Sequence, residues 1–91
     1  MDLLSANIQY IPLHAEDPMA AVDQAIALIQ SAGVSYEVGA FGTSVEGDAR
    51  AVEKLVHNLL KTAISKEFLL NVQYHVGGDK LSNVEKVAKF R

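Results

Sequence analysis

The sequence predicts a small α+β domain in which a four-stranded antiparallel sheet is covered by two helices. Four short segments alternate apolar and polar residues, and two longer segments repeat apolar residues at helical spacing. These six segments follow the order β-α-β-β-α-β along the chain. With 91 residues, 49% of them hydrophobic, the chain has room for one domain, residues 1–91, with a modest core.

The first strand is expected over residues 4–12, where apolar and polar side chains alternate. Pro12 cannot donate a ladder hydrogen bond, so strand pairing should weaken there. Asp17 is a suitable N-cap and Pro18 a suitable first helical residue. Apolar spacing then predicts a helix over residues 18–32, with Gly33 as its left-handed C-terminal residue.

A β-hairpin and a second helix are expected in the middle of the chain. Residues 34–40 alternate again, a turn at Phe41 and Gly42 follows, and residues 43–46 form the return strand. Asp48 can cap the next helix. The apolar residues of that helix give the strongest periodic signal in the sequence: Val52, Leu55, Val56, Leu59, Leu60, Ala63 and Ile64.

The last segments are a strand, a glycine turn and a short helix. Residues 68–76 alternate, Gly77 and Gly78 form the turn, and Ser82 with Glu85 makes a capping box for a helix that reaches Phe90. Two crossovers and one hairpin give the ferredoxin-like arrangement, with both helices on one face of the sheet and the first and fourth strands adjacent.

The two faces of this sheet differ in chemistry. The helix-covered face receives Leu4, Ala6, Ile8, Tyr10, Leu70, Val72 and Tyr74. The open face receives Ser5, Asn7, Gln9, Asn71, Gln73 and His75. Uncharged amides donate and accept hydrogen bonds in fixed directions, so this face suits a second sheet or a bound polar heterocycle. Burial of the same face by dimerisation alone is the simpler alternative.

The stretch FGTSVEGD contains a single carboxylate just before the second helix. Ser44 and Glu46 lie opposite Val45 on their strand, so packing of Val45 under the helices turns Glu46 toward the amide-rich face. Glu46 could there pair with a cationic ligand. A carboxylate near a helix N-terminus is also favoured by the helix dipole alone.

Composition excludes several function classes. The absence of cysteine rules out disulfides, thiolate catalysis and cysteine metal sites, and suits a cytoplasmic protein. The net charge of -3 argues against nucleic acid or an anionic membrane as partner. His14, His57 and His75 do not have metal-ligand spacing, and no catalytic signature is present.

Four motifs together resemble the thiamine-binding, YkoF-like superfamily. They are YIPL at the end of the first strand, SAGVSYEV after the first helix, the hairpin motif G-T-x-x-E-G over residues 42–47, and GGDKLSNVEKV after the last strand. The resemblance covers essentially the whole chain. It implies a ferredoxin-like fold, homodimers or homotetramers formed through sheet faces and edges, and binding of thiamine or its hydroxymethylpyrimidine moiety without chemistry. Thiamine would then be a ligand, and no cofactor is expected.

The resemblance carries over Thr43 and Glu46 as motif residues. The face pattern adds Asn7, Gln9, Ser44, Asn71, Gln73 and His75 as candidates for meeting the donor and acceptor groups of an aminopyrimidine. Phe41 or Tyr36 could stack on a ring. The interpretation is a carrier, buffer or sensor for thiamine or its pyrimidine precursor.

Two other function classes remain open from the residues. The first is an enzyme of the dimeric α+β barrel type, with His75 as acid or base; loss of turnover in His75→Ala would support it. The second is an oligomerisation or regulatory module without a ligand, which a fully packed open face would favour. The fold alone does not separate these alternatives.

Overall fold

The protein forms the predicted ferredoxin-like α+β fold. The computed structural model describes residues 3–62 and 64–91. All strand pairs are antiparallel, and the strand order across the sheet is β2-β3-β1-β4. The elements are β1 (Leu3–Leu13), α1 (Pro18–Gln30), β2 (Ser35–Val38), β3 (Thr43–Asp48), α2 (Ala49–Lys61), β4 (Glu67–His75), α3 (Asn83–Val87) and a final 3-10 turn (Ala88–Phe90).

The core lies between the sheet and the pair of helices α1 and α2. Val45 and Val52 are fully buried at its centre, and alternate residues of β1 contribute the apolar floor. Removing this apolar surface from water, at roughly 25 cal/mol per Å², is the main source of stability. The buried cluster comprises Leu4, Ala6, Ile8, Ala25, Ile29, Val34, Val45, Val52, Leu55 and Leu59.

The helices differ from the sequence prediction mainly at their ends. The Asp17 side chain caps α1 by accepting from the Ala20 N–H at 3.1 Å, and Gly33 has the expected positive φ of 75°. Helix α1 nevertheless ends at Gln30, because residues 31–33 form the turn into β2. Asp48 occupies the N-cap position of α2 without a side-chain cap hydrogen bond.

Helix α2 stops at Lys61, so Ile64 lies beyond the helix, and Ala63 lies outside the described residues. The capping box of α3 is present as predicted, with Ser82 and Glu85 bonding reciprocally. Within residues 3–62 and 64–91, no helix has the length and apolar content needed to cross a bilayer.

The β2–β3 turn is centred one residue earlier than predicted. The Gly39 N–H donates to the Gly42 carbonyl at 2.8 Å, which leaves Ala40 and Phe41 at the tip. A Cβ atom at Gly39 would lie 2.9 Å from that carbonyl, so the closing pair has no space for a side chain there. Strand β2 therefore ends at Val38 instead of continuing to Ala40.

Strand β1 pairs with β4 over a longer stretch than with β3. It pairs with β4 as far as Leu13, whereas its pairing with β3 ends at Ile8. The expected weakening at Pro12 is therefore absent toward β4, where Pro12 pairs with Phe68. The Ile8 carbonyl faces the hairpin, 3.1 Å from the Cβ position of Gly42. The backbone N–H and C=O groups that point to one side of a strand recur every two residues. The position of Pro12 that lacks an N–H therefore faces the same side as the Ile8 carbonyl, where β3 has already ended.

Candidate functional site

The C-terminal segment folds back over part of the open sheet face. The Asn83 side chain donates to the Val45 carbonyl at 3.1 Å, which fixes the start of α3 on β3. Arg91 forms an ion pair with Glu37 of β2 at 2.6 Å. The β2–β3 half of the open face is therefore overlaid by α3 and the residues after it, while the β1–β4 half remains accessible.

Glu46 holds this segment in place. Its carboxylate accepts a hydrogen bond from the Ser5 hydroxyl and one from the Asn83 N–H, which is shared between Oε1 at 3.2 Å and Oε2 at 3.0 Å. The Lys80 ammonium lies 3.5 Å from Oε2 and also donates to Ser5. The side chains of Lys80 and Glu46 are only 4% and 9% exposed. The lone carboxylate of the hairpin motif is thus satisfied within the protein.

These contacts keep Glu46 ionised. Burial raises the pKa of the Glu46 carboxyl, but hydrogen bonds from Ser5 and the Asn83 backbone, together with the Lys80 charge, outweigh it and leave the pKa below its ordinary value. A buried pair of this kind is strongly destabilised when one partner is lost, because the other is left uncompensated. Glu46 therefore links β3, β1 and the C-terminal segment.

A polar cleft of about 450 Å³ lies between α3 and the accessible half of the open face. Four of the predicted site residues line it: Asn7, Ser44, Gln73 and His75. Asn7 and Gln73 face each other across the β1–β4 pair. The other lining residues are Ser5, Ala6, Tyr74, Asn83, Lys86 and Val87.

The hydrogen-bonding capacity of this cleft is largely unused by the protein. Among the described residues, the side chains of Asn7, Ser44 and Gln73 take part in none of the side-chain hydrogen bonds. Each of these groups can donate and accept, and none carries a charge. The cleft therefore presents a set of neutral donors and acceptors from three adjacent strands.

His75 and Lys86 form one end of the cleft. Lys86 Nζ lies 2.6 Å from His75 Nδ1. An ammonium group can only donate, so Nδ1 is the acceptor in this contact. No carboxylate lines the cleft among the described residues. This end of the cleft is consequently positive, whereas the Asn7 end is neutral.

Four predicted site residues lie outside this cleft on the sheet and its turn: Gln9, Asn71, Thr43 and Phe41. Asn71 is on the open face but farther along, where it donates to Gln9 at 3.1 Å. Thr43 pairs with Ile8 and is only 5% exposed on the helix-covered face. Phe41 is 86% exposed at the tip of the hairpin.

The remaining predicted residues also lie apart from the cleft. Tyr36 is opposite Val45 on edge strand β2 and is partly exposed. The ligand-binding roles of Glu46 and of the residues outside the cleft stay predictions. Of the residues that strand alternation assigns to the open face, only those whose register places them beside α3 line the cleft.

Sequence reasoning missed three residues that shape the site, Lys80, Asn83 and Lys86. All three belong to the C-terminal segment, whose helix was predicted from its capping box. A capping box gives the start of a helix but carries no information about the surface on which the helix packs. The one sequence signal for such a contact was the isolated carboxylate of Glu46, which needs a hydrogen-bonding or charged partner within the protein.

The fold and the cleft define a small ferredoxin-like domain with a polar cleft on its open sheet face, positive at the Lys86 end. The family model described as thiamine-binding protein matches residues 6–90. The chain therefore belongs to the thiamine-binding protein family, which confirms the resemblance seen in the motifs. A comparison with curated proteins gave no match.

Solved structures similar to this chain have the same fold over nearly its whole length. A Thermotoga maritima protein described as a candidate thiamine biosynthesis or salvage protein has a TM-score of 0.87 and 30% identity, covering 99% of this chain and 100% of its own. A domain of unknown function from Bacillus cereus has a TM-score of 0.86 and 27% identity, with 99% and 91% covered. A Streptococcus pneumoniae protein has a TM-score of 0.81 and 29% identity, with 96% and 99% covered.

Proposed function

We propose that this protein binds thiamine or its hydroxymethylpyrimidine moiety without changing it chemically, and serves as a carrier, buffer or sensor. The observation that carries the proposal is the convergence of Asn7, Ser44 and Gln73, with free hydrogen-bonding groups, on one cleft of about 450 Å³. That volume is within the usual range for small-molecule sites. Membership of the thiamine-binding protein family supports the ligand class.

The aminopyrimidine ring suits the neutral part of the cleft. Its edge presents an exocyclic amine and ring nitrogens, which side-chain amides can meet with complementary donors and acceptors. The side chains of Asn7 and Gln73 lie on opposite strands at one register position and can approach a ring from two sides. The amine then donates to an amide oxygen, and a ring nitrogen accepts from an amide N–H.

The charge of the cleft gives the ligand an orientation. Lys86 lies at one end, so the positive thiazolium ring of thiamine is repelled from that end and is directed toward the Asn7 end or solvent. The uncharged hydroxymethylpyrimidine meets no such repulsion. Among the described residues no carboxylate lines the cleft beside His75, and the charged neighbour of its ring is the Lys86 ammonium. This arrangement favours binding over catalysis.

A second copy of the chain is proposed to close the cleft, as a homodimer or homotetramer. Leu69 is 51% exposed on the open face, and Val84 and Phe90 are 75% and 74% exposed on the C-terminal segment. Exposed apolar groups of this size next to a polar site are typical of protein interfaces. Light scattering coupled to size-exclusion chromatography gives the oligomeric state.

Isothermal titration calorimetry of the mass-checked oligomer with thiamine and with hydroxymethylpyrimidine tests the function. The expected result is saturable binding of at least one compound, at one site per domain or per domain pair. Absence of heat with both compounds, together with an unshifted melting temperature, would overturn the proposal. It would then favour an oligomerisation module or a different ligand.

A further inference from the structure

Two rows of polar side chains cross the open face of the sheet beside α3. Each row joins register partners on β4, β1 and β3: Gln73, Asn7 and Ser44 form the first row, and His75, Ser5 and Glu46 form the second. All of them except Glu46 line the open-face cleft, which is the polar cleft between α3 and the sheet. Residues two positions apart on a strand are separated by about 6.6 Å, so the two rows lie about that far apart. One ligand can therefore present a different group to each row.

The second row has an excess of positive charge. Lys80 forms an ion pair with Glu46, with 3.5 Å between Nζ and Oε2. Lys86 of α3 is half-buried and lies over the same row, with Nζ 2.6 Å from Nδ1 of His75. Within residues 3–62 and 64–91, no carboxylate lies within ion-pair distance of the Lys86 ammonium group. Two ammonium groups thus face one carboxylate, and the charge of Lys86 is not compensated by the described part of the protein.

The uncompensated charge of Lys86 favours a ligand with an anionic group. A partly buried ammonium group attracts an anion more strongly than one in open water does, because less solvent screens the interaction. The thiazolium ring of thiamine is repelled by this charge, and uncharged hydroxymethylpyrimidine gains no affinity from it. An anionic ligand is the class that converts Lys86 into a source of binding energy.

A phosphate monoester suits the donors at this end of the cleft. Its three free oxygens can accept hydrogen bonds from an ammonium group and from neutral donors together, and lysine is a common phosphate-binding residue. Gln73 lies two residues before His75 on the same face of β4. Its amide takes part in none of the side-chain hydrogen bonds among the described residues. Lys86 and Gln73 therefore supply a charged donor and a neutral donor within one cleft.

We propose that the His75 end of the open-face cleft is an anion subsite, and that the cleft takes the phosphate monoester of hydroxymethylpyrimidine in preference to the free alcohol. The ring edge bonds to Asn7 and Gln73 in the first row, and the phosphate oxygens accept from Lys86 Nζ over the second. One carbon and one oxygen join the ring to phosphorus, so a single molecule can reach both rows. This inference rests on the proposed function, because it uses the same cleft as the pyrimidine site.

Calorimetric titration of the phosphate monoester and of free hydroxymethylpyrimidine into wild type tests this preference. The ester should bind about tenfold more tightly at the same stoichiometry, and its advantage should shrink at high salt because the added contact is ionic. Equal or weaker binding of the ester, with the free compound still bound, would overturn this inference and leave the proposed function standing. Absence of binding by both compounds would overturn both.

Replacement of Lys86 separates the charge from the rest of the cleft. Lys86→Gln removes the charge and keeps most of the side-chain length, so it should weaken the ester about tenfold and keep the free compound within about twofold of wild type. Lys89→Gln is the matched control, because Lys89 belongs to the same segment, lies over the Phe90 ring and does not line the cleft. An unchanged preference in Lys86→Gln, or an equal loss in both variants, would contradict the anion subsite.

Inorganic phosphate locates the anion subsite without the pyrimidine ring. Titration of phosphate into ¹⁵N-labelled protein is followed by amide chemical shifts, at constant pH and ionic strength. Saturable shifts should be concentrated at residues 5–7, 73–75 and 83–87, and Lys86→Gln should abolish them. Shifts centred instead on the exposed lysines of α2, Lys54 and Lys61, or shifts that persist unchanged in Lys86→Gln, would overturn the inference.

Discussion

The backbone N–H of Asn83 donates to both carboxylate oxygens of Glu46, at 3.2 and 3.0 Å. This contact joins the first residue of α3 to the middle of β3. Because Lys80 and Ser5 bind the same carboxylate, the C-terminal segment is fixed over one half of the sheet. The open-face cleft has α3 as a wall for this reason.

Replacement of Glu46 by Gln is expected to destabilise the protein in a pH-dependent way. The folded pKa of Glu46 lies below its ordinary value of 4.5, so the ionised carboxylate stabilises the fold above about pH 4.5. That contribution is lost as pH falls through the lower, folded pKa. Near pH 7 we expect a loss of about 1–3 kcal/mol in the free energy of unfolding.

Urea unfolding of wild type and Glu46→Gln between about pH 3 and 7 measures this effect. The difference between the two proteins should shrink toward the acid end. Glu16→Gln changes an exposed carboxylate in the loop before α1 and should behave as wild type. A difference that stays constant over the whole pH range would show that the charge of Glu46 is not its cause.

Gly42→Ala is expected to weaken ligand binding through Asn7. A Cβ atom at Gly42 would lie 2.9 Å from Asn7 Nδ2 and 3.1 Å from the Ile8 carbonyl. The amide of Asn7 must therefore move, and an affinity loss of several fold follows if it binds the pyrimidine.

Calorimetry on Gly42→Ala and on Gly78→Ala provides a matched comparison. A Cβ atom at Gly78 would meet nothing within 4 Å, so that variant should bind as wild type. Wild-type affinity in Gly42→Ala, with an unchanged melting temperature, would remove Asn7 from the proposed site.

Lys86→Ala is expected to change the preference between the two ligands. Removal of the positive charge at the His75 end relieves its repulsion of the thiazolium ring and leaves the neutral pyrimidine compound largely unaffected. The ratio of thiamine to hydroxymethylpyrimidine affinity should rise roughly two- to fivefold at low salt and less at high salt. An unchanged ratio in titrations at both salt concentrations would contradict the orienting role of Lys86.

The sheet and its two faces were predictable from sequence because strand alternation is a local property. Asn7 and Gln73 were assigned to one face from their positions alone, and the strand register confirms that they are paired. The order of the strands followed from the rules for crossovers and hairpins. Membership of the thiamine-binding protein family was likewise readable from the order of short motifs.

The extent of the cleft was not predictable in the same way. Lys80, Asn83 and Lys86 reach the open face because the chain reverses after β4. The turn at Gly77 and Gly78 was predicted, but no local pattern tells on which surface the following helix packs. Thr43 and Glu46 belong to one short motif, but strand alternation sends them to opposite faces. The residues of this motif therefore do not form a single site, because their structural surroundings differ.

The measurement that tests the central claim most directly is calorimetric titration of hydroxymethylpyrimidine into wild type, Gln73→Ala and Asn71→Ala. Both substitutions remove an exposed amide from the same face of β4, but only Gln73 lines the cleft. We expect Gln73→Ala to weaken binding about tenfold and Asn71→Ala to stay within about twofold of wild type. Equal affinity of Gln73→Ala and wild type, in correctly folded protein, would contradict the open-face site.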